Sequence, residues 1–191
     1  MWCLCYFNNY IIIRKVILNI CCYHGTDEAS SQSILSSKEF IVKRRQDHWL
    51  GNGVYFFIDD FKKAEWWANQ ITKKNGKLPV VLYLNLDVDD TELLNLNIES
   101  DLDTLNNFSK ELFKDLKKHN VFIKFKDEHE LNCFVLDSFF EKYPNYKVVR
   151  RTFNSTNKKV GESGFGMLSD QICIMNQEII PFSKIKVKNI S

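Results

Sequence analysis

Apolar residues in this chain fall into short continuous blocks and helical stripes, divided by small polar punctuation. Val16 to Tyr23 is a β-branched and aliphatic run that predicts a buried strand ending at His24-Gly25-Thr26. Thr26 or Asp27 then caps a helix over about 27–36, with Ala29, Ile34 and Leu35 on its apolar side. Phe40 to Val42 reads as a short strand. Val54 to Ile58 reads as a strand entered through the Gly51-Asn52-Gly53 turn. After Asp59 or Asp60, the spacing of Phe61, Ala64, Ala68 and Ile71 predicts a helix over 61–73. Pro79 introduces a strand over Val80 to Leu86.

The second half changes period. Leu102, Leu105, Phe108, Leu112 and Leu116 mark a helix over 101–119, and Leu131, Phe134, Val135 and Phe139 mark another over 127–142. Three strands close the pattern: Tyr146 to Phe153, Gln171 to Asn176, and Ile185 to Ile190. A polar, glycine-bearing loop, 154–170, separates the first two. Strands and helices first, a helical insertion over about 87–145, and strands last make an α+β plan in one domain over 1–191.

Composition narrows this little. The 191 residues are 45% hydrophobic and 26% charged, with a net charge of +2, so any electrostatic footprint must be local. Residues 1–22 are apolar but broken by Asn8, Asn9, Arg14, Lys15 and Asn19, and the longest uncharged run, residues 1–13, is short of the roughly 20 residues a membrane helix needs. Their positive charges follow the apolar run, unlike a signal peptide. Tyr10 to Ile13 is a strand candidate. The six cysteines match no zinc spacing, and the expectation is reduced thiols in a cytoplasmic protein with no membrane partner.

The chemistry concentrates in Tyr23-His24-Gly25-Thr26 and in Trp49-Leu50-Gly51-Asn52-Gly53-Val54-Tyr55-Phe56-Phe57. A histidine, a glycine that admits close backbone approach and a tyrosine able to stack suit a flat polar ligand. Each piece alone is also an ordinary turn or core segment. Their combination resembles the ADP-ribosyltransferase superfamily, in its histidine–tyrosine–glutamate branch, which includes diphtheria toxin and the poly(ADP-ribose) polymerases.

The resemblance implies a split antiparallel sheet with flanking helices, and NAD as co-substrate. It implies that His24 bonds the ribose beside nicotinamide, that Gly25 grips the carboxamide through its backbone, and that Tyr55 stacks on the ring. Thr26 and Gly53 complete the two motifs, and Trp66 or Trp67 stands where the family supplies a second aromatic. The position of the family's glutamate falls on Gln171. An amide can hold a ribose hydroxyl but carries no charge against a developing cation. That departure implies transfer of a single ADP-ribose instead of chain elongation. Glu162, in the preceding loop, is the best substitute carboxylate; Asp170 should face the other way, and Glu178 should lie on the surface.

The same loop holds Lys158, Lys159, Gly161, Gly164 and Gly166 and by analogy would recognise the acceptor, a protein or a nucleic acid. Lys43-Arg44-Arg45 is either a phosphate-binding trio or a solvated surface. His48 lies near the proposed site, whereas His119 and His129 should face solvent. No metal-ligand spacing is present among the four histidines. The expected function is therefore an NAD-dependent mono-ADP-ribosyltransferase, of the kind found among toxins and microbe–phage conflict effectors. The alternatives are a non-catalytic NAD or ADP-ribose-binding module and an RNA 2′-phosphotransferase.

Overall fold

The computed structural model describes residues 16–73, 76–154 and 166–190, and the backbone of 6–7 and 10–11. β1 (Tyr6–Phe7) and β2 (Tyr10–Ile11) form a small antiparallel pair separate from the main sheet. The strand expected over Tyr10 to Ile13 is thus present at its first two positions; the others lie outside the described residues.

The main sheet contains β3 (Ile17–Asp27), β4 (Val54–Ile58), β5 (Pro79–Asp89), β6 (Leu93–Asn95), β7 (Val148–Asn154), β8 (Leu168–Ile174) and β9 (Lys186–Asn189). Their spatial order is β6-β7-β8-β4-β3-β5-β9. Every neighbouring pair is antiparallel except β6 and β7, so the sheet is mixed and the class is α+β. Among the described residues four α-helices join it: α1 (Glu28–Ser37), α2 (Phe61–Thr72), α3 (Glu99–Lys118) and α4 (Glu128–Lys142).

Alternation along the strands assigns a core to each face. One face carries Ile20 and Cys22 of β3, Val54, Phe56 and Ile58 of β4, Leu82, Leu84 and Leu86 of β5, and Ile172 and Ile174 of β8. Ile34 of α1, Phe40 and Ile180 cover it. The other face sends Val149 and Cys173 into a second core with Leu105 and Phe108 of α3 and Val135, Leu136 and Phe139 of α4. α2 lies on this second face too, packed over β3 and β5. Between α2 and the α3–α4 pair lies a strip of β4 and β8, where Phe57 and Gln171 are cross-strand partners and both half-exposed.

The helix starts follow from their caps. The Asp27 carboxylate accepts from the Ser30 amide at 3.0 Å and its hydroxyl at 2.7 Å, and a Lys77 ammonium lies 3.1 Å away. Asp60 accepts from the Lys63 amide at 3.0 Å, and Asp127 from those of His129 and Glu130.

Several sequence expectations need correction. β3 does not end at the His24-Gly25-Thr26 motif: it runs through it to Asp27, because β5 pairs with it residue by residue over its whole length. Phe40 to Val42 forms no strand. Phe40 is instead a core plug, held by backbone bonds to the Gln177 side chain at 2.8 and 2.9 Å. α2 turns Thr72 inward, leaving Ile71 exposed, since Ala68 and Thr72 lie one turn apart on the sheet side. The segment 87–145 is not a purely helical insertion, for it contains the end of β5, all of β6, and the helices that build the second core.

Candidate functional site

The two sequence motifs lie on neighbouring strands, and the sheet is barely joined between them. β3 and β4 pair at only two positions, Cys22 with Ile58 and Tyr23 with Phe57. β3 and β5, by contrast, pair at eleven. The Asp59 amide donates to Cys21 O at 3.0 Å, so the backbone groups of Cys21 face β4. In an antiparallel strand every second residue points its N–H and C=O to the same neighbour, so those of Tyr23 and Gly25 face β4 as well. Tyr23 meets Phe57 there. Two residues on, pairing has stopped, and the N–H and C=O of Gly25 open onto the gap.

His24 occupies the edge of that gap. Its Nδ1 lies 2.8 Å from Tyr55 O, and a carbonyl oxygen only accepts, so Nδ1 carries the proton. Burial lowers the imidazole pKa, against the opposing effect of the Tyr55 bond, and favours the neutral ring. Nε2 is then a lone-pair acceptor, with no protein partner among the described residues. The ring is wedged beside Phe40 and Phe56, at centroid distances of 5.1 and 5.5 Å. This refines the sequence expectation: the histidine offers an acceptor, because its donor is already used on the protein backbone.

Tyr55 lies on the opposite face from the His24 ring, and the two residues meet through the Tyr55 carbonyl. The Tyr55 hydroxyl accepts from the Leu50 amide at 2.7 Å and donates to Gly51 O at 3.0 Å, fixing the preceding turn. Burial raises its pKa, so it stays a neutral phenol. His48 packs edge-on to this ring at 5.8 Å, with its Nδ1 buried and without a hydrogen-bond partner among the described residues.

The turn itself is built by packing. Gly51 sits at φ +79, a backbone conformation that favours glycine, and a Cβ at Gly53 would lie 2.5 Å from Ile174 O. Asn52 is clamped by Asp137 of α4, which accepts from its amide at 2.9 Å and its side-chain nitrogen at 2.6 Å. Asp137 was not legible in the sequence, since its partner lies 85 positions away. Gly25 also has a packing reason: a Cβ there would lie 2.1 Å from Ala64 O and 2.8 Å from Ala68 N. It therefore serves the seat of α2 and the gap together. Thr26 is buried beside Val80 of β5.

Gln171 shares a face with Tyr55 and lies diagonally from it, since Tyr55 pairs with Cys173; such diagonal neighbours stand roughly 7–8 Å apart. Its amide nitrogen donates to Ser169 Oγ at 3.1 Å. Asp170 points to the other face, as alternation requires, and there takes a forked ion pair from Arg150, closest at 2.6 Å. It is committed elsewhere. Glu162 lies outside the described residues, with Lys158, Lys159, Gly161 and Gly164. Glu178 is exposed beside Asn176.

Trp66 and Trp67 are 56% and 46% exposed, their ring centroids 6.2 Å apart. Lys63 reaches Leu168 O at 2.6 Å, so its flank of α2 faces β8. Trp67, four residues on, shares that flank, and Trp66 points further out. His129, expected in solvent, is half-buried and stacks on Trp49 at 5.0 Å with ring planes 6° apart.

No protein-family model matches this chain, and no solved structure does either. One stretch of 44 residues is 43% identical to part of an uncharacterized protein of Methanocaldococcus jannaschii. That match covers 23% of this chain and spans only 21% of the relative.

Proposed function

We propose that this chain is an NAD-dependent mono-ADP-ribosyltransferase whose nicotinamide slot is the gap between β3 and β4. The observation that carries the reading is the stop in β3–β4 pairing at Tyr23, which turns the Gly25 N–H and C=O toward an opening edged by His24 and Tyr55. A primary carboxamide needs one acceptor and one donor side by side, and an unpaired strand residue supplies both. The neutral His24 Nε2 would accept from a ribose hydroxyl. Tyr55, its hydroxyl held by the turn, would offer a ring of fixed orientation. The residues present fit the nicotinamide riboside half of NAD, and the short β3–β4 pairing supports the split core that the resemblance implies.

NAD supplies a glycosidic bond to a positively charged nicotinamide leaving group; the chain's part is to hold the ribose while that bond opens. Gln171 would orient a hydroxyl but, as an amide, brings no charge to the strip it occupies. Replacing it tests the reading directly. Gln171→Glu should raise nicotinamide release from NAD by about tenfold or more, since fixed charge facing a developing cation is a large catalytic contribution. His24→Ala should abolish release in both backgrounds. An unchanged rate in Gln171→Glu would remove that strand position from the reaction.

The amide at 171 also favours a second reading, an NAD or ADP-ribose-binding module without turnover. Binding that His24→Ala weakens, with no release even in Gln171→Glu, would select it. An RNA 2′-phosphotransferase is less well supported, because Arg45 pairs with Asp47, Arg150 with Asp170, and Arg151 with Leu96 O.

A further inference from the structure

Among the described residues, three consecutive large apolar side chains stand in solvent only in the connection from α3 to α4. Val121, Phe122 and Ile123 are 44%, 80% and 41% exposed. Lys117 and Lys118 precede them, and Lys124 and Lys126 follow. All four lysines are exposed, and residues 117–126 contain no aspartate or glutamate. Carboxylates flank the stretch and do not enter it: Asp115 lies 3.6 Å from His119, Glu130 accepts from the Lys126 backbone amide at 2.8 Å, Asp127 caps α4, and Glu128 is exposed in the first turn of α4.

The tip is held in place. The Val121 amide donates to Leu116 O at 2.8 Å after Asn120 turns the chain at φ 58. Phe125 anchors the far side, 6.0 Å from Phe113 and 5.4 Å from Phe134. The fold thus presents Phe122 outward on a fixed base.

We infer that residues 117–126 form a membrane-docking tip for an anionic lipid surface. Val121, Phe122 and Ile123 enter the boundary between headgroups and acyl chains, and the four lysines lie at headgroup level. Two weak signals acting together, apolar insertion and charge, are what reversible attachment requires. A nucleic acid satisfies the lysines but not Val121 and Ile123, which have no π-face to stack on a base. No described helix is long and apolar enough to cross a membrane, so this element lies on a bilayer and does not span it. The inference is independent of the NAD reading and departs from the sequence expectation of no membrane partner.

Co-sedimentation of the full chain with vesicles decides it. Vesicles of phosphatidylcholine with about one-third phosphatidylserine should pull the protein down, and phosphatidylcholine alone should retain about tenfold less. Phe122→Ser with Ile123→Ser should weaken binding to the anionic vesicles about tenfold. Lys117→Glu with Lys118→Glu should weaken it by a similar factor. Ile41→Ser, which removes a side chain 81% exposed elsewhere, should leave it unchanged. Unaltered thermal melts would show that the surface variants fold. Absence of sedimentation overturns the inference. So does sedimentation that survives the Phe122/Ile123 change within twofold, or that a single-stranded oligonucleotide competes away, for the lysines would then serve a polyanion without insertion.

Discussion

At the scale of one residue, His24 holds a proton on Nδ1 for Tyr55 O and leaves Nε2 without a partner among the described residues. Its pKa is lowered from 6.5 by burial. The unfolded chain therefore binds a proton between 6.5 and the lower folded value, while the native state does not. Stability attached to this ring is complete above pH 6.5 and is lost as pH falls through that window. Thermal melts from pH 8 to pH 5 should show a fall in midpoint that His24→Gln flattens; equal slopes in both proteins would place the ring's titration outside the folded state's control. Asp27 acts lower on the scale. Burial works against its charge, but bonds from Ser30 and Lys77 outweigh it, so its contribution is lost only as pH falls below 3.8. The sequence made His24 legible as a candidate because a histidine beside glycine at the end of an apolar run is unusual. Its facing was not legible. That depends on the register of β3 with β5, which carries the strand past the point where the motif suggests a turn.

At the scale of elements, Gly25 and α2 form one unit. The helix backbone lies so close to β3 that no side chain fits between them, and the obstructing atoms are Ala64 O and Ala68 N, which cannot rotate away. Gly25→Ala should cost at least about 2 kcal/mol in a denaturant titration and should also weaken NAD binding, because α2 must lift from the sheet. A loss of binding with stability intact would separate the two roles. The alanines of α2 were visible in the sequence as an apolar stripe, but periodicity reports which side is apolar and not how near it sits. The same limit hid the Asp137 clamp on Asn52. Strands and helices with strong patterns, such as β4 and α4, were readable to within a residue or two. Phe40 was misread because a β-branched neighbourhood resembles a strand even where only Phe40 is fully buried and Val42 half-buried.

At the scale of the whole molecule, α3 and α4 are structural partners of the sheet. Leu94, Val149 and Cys173 are fully buried beneath them. Replacing 97–146 with a short glycine-serine linker should leave a chain without a cooperative melt in calorimetry, since one face of the sheet would be bare; a sharp transition would show that the first core suffices alone. The chain crosses between the leaf β6-β7-β8-β4 and the leaf β3-β5-β9 four times, at each step from β3 to β4, β4 to β5, β5 to β6 and β8 to β9. Neither leaf is therefore a continuous piece of sequence, and neither can detach from the other. Yet only two paired positions tie them. The consequence is a clasped book with a thin spine: side chains of one core hold the leaves together, while few backbone bonds join them along the line where His24 and Gly25 sit. A flat ligand bonded to both edges would be the rung the ladder lacks, and its arrival would be felt as stiffness across the full width of the sheet.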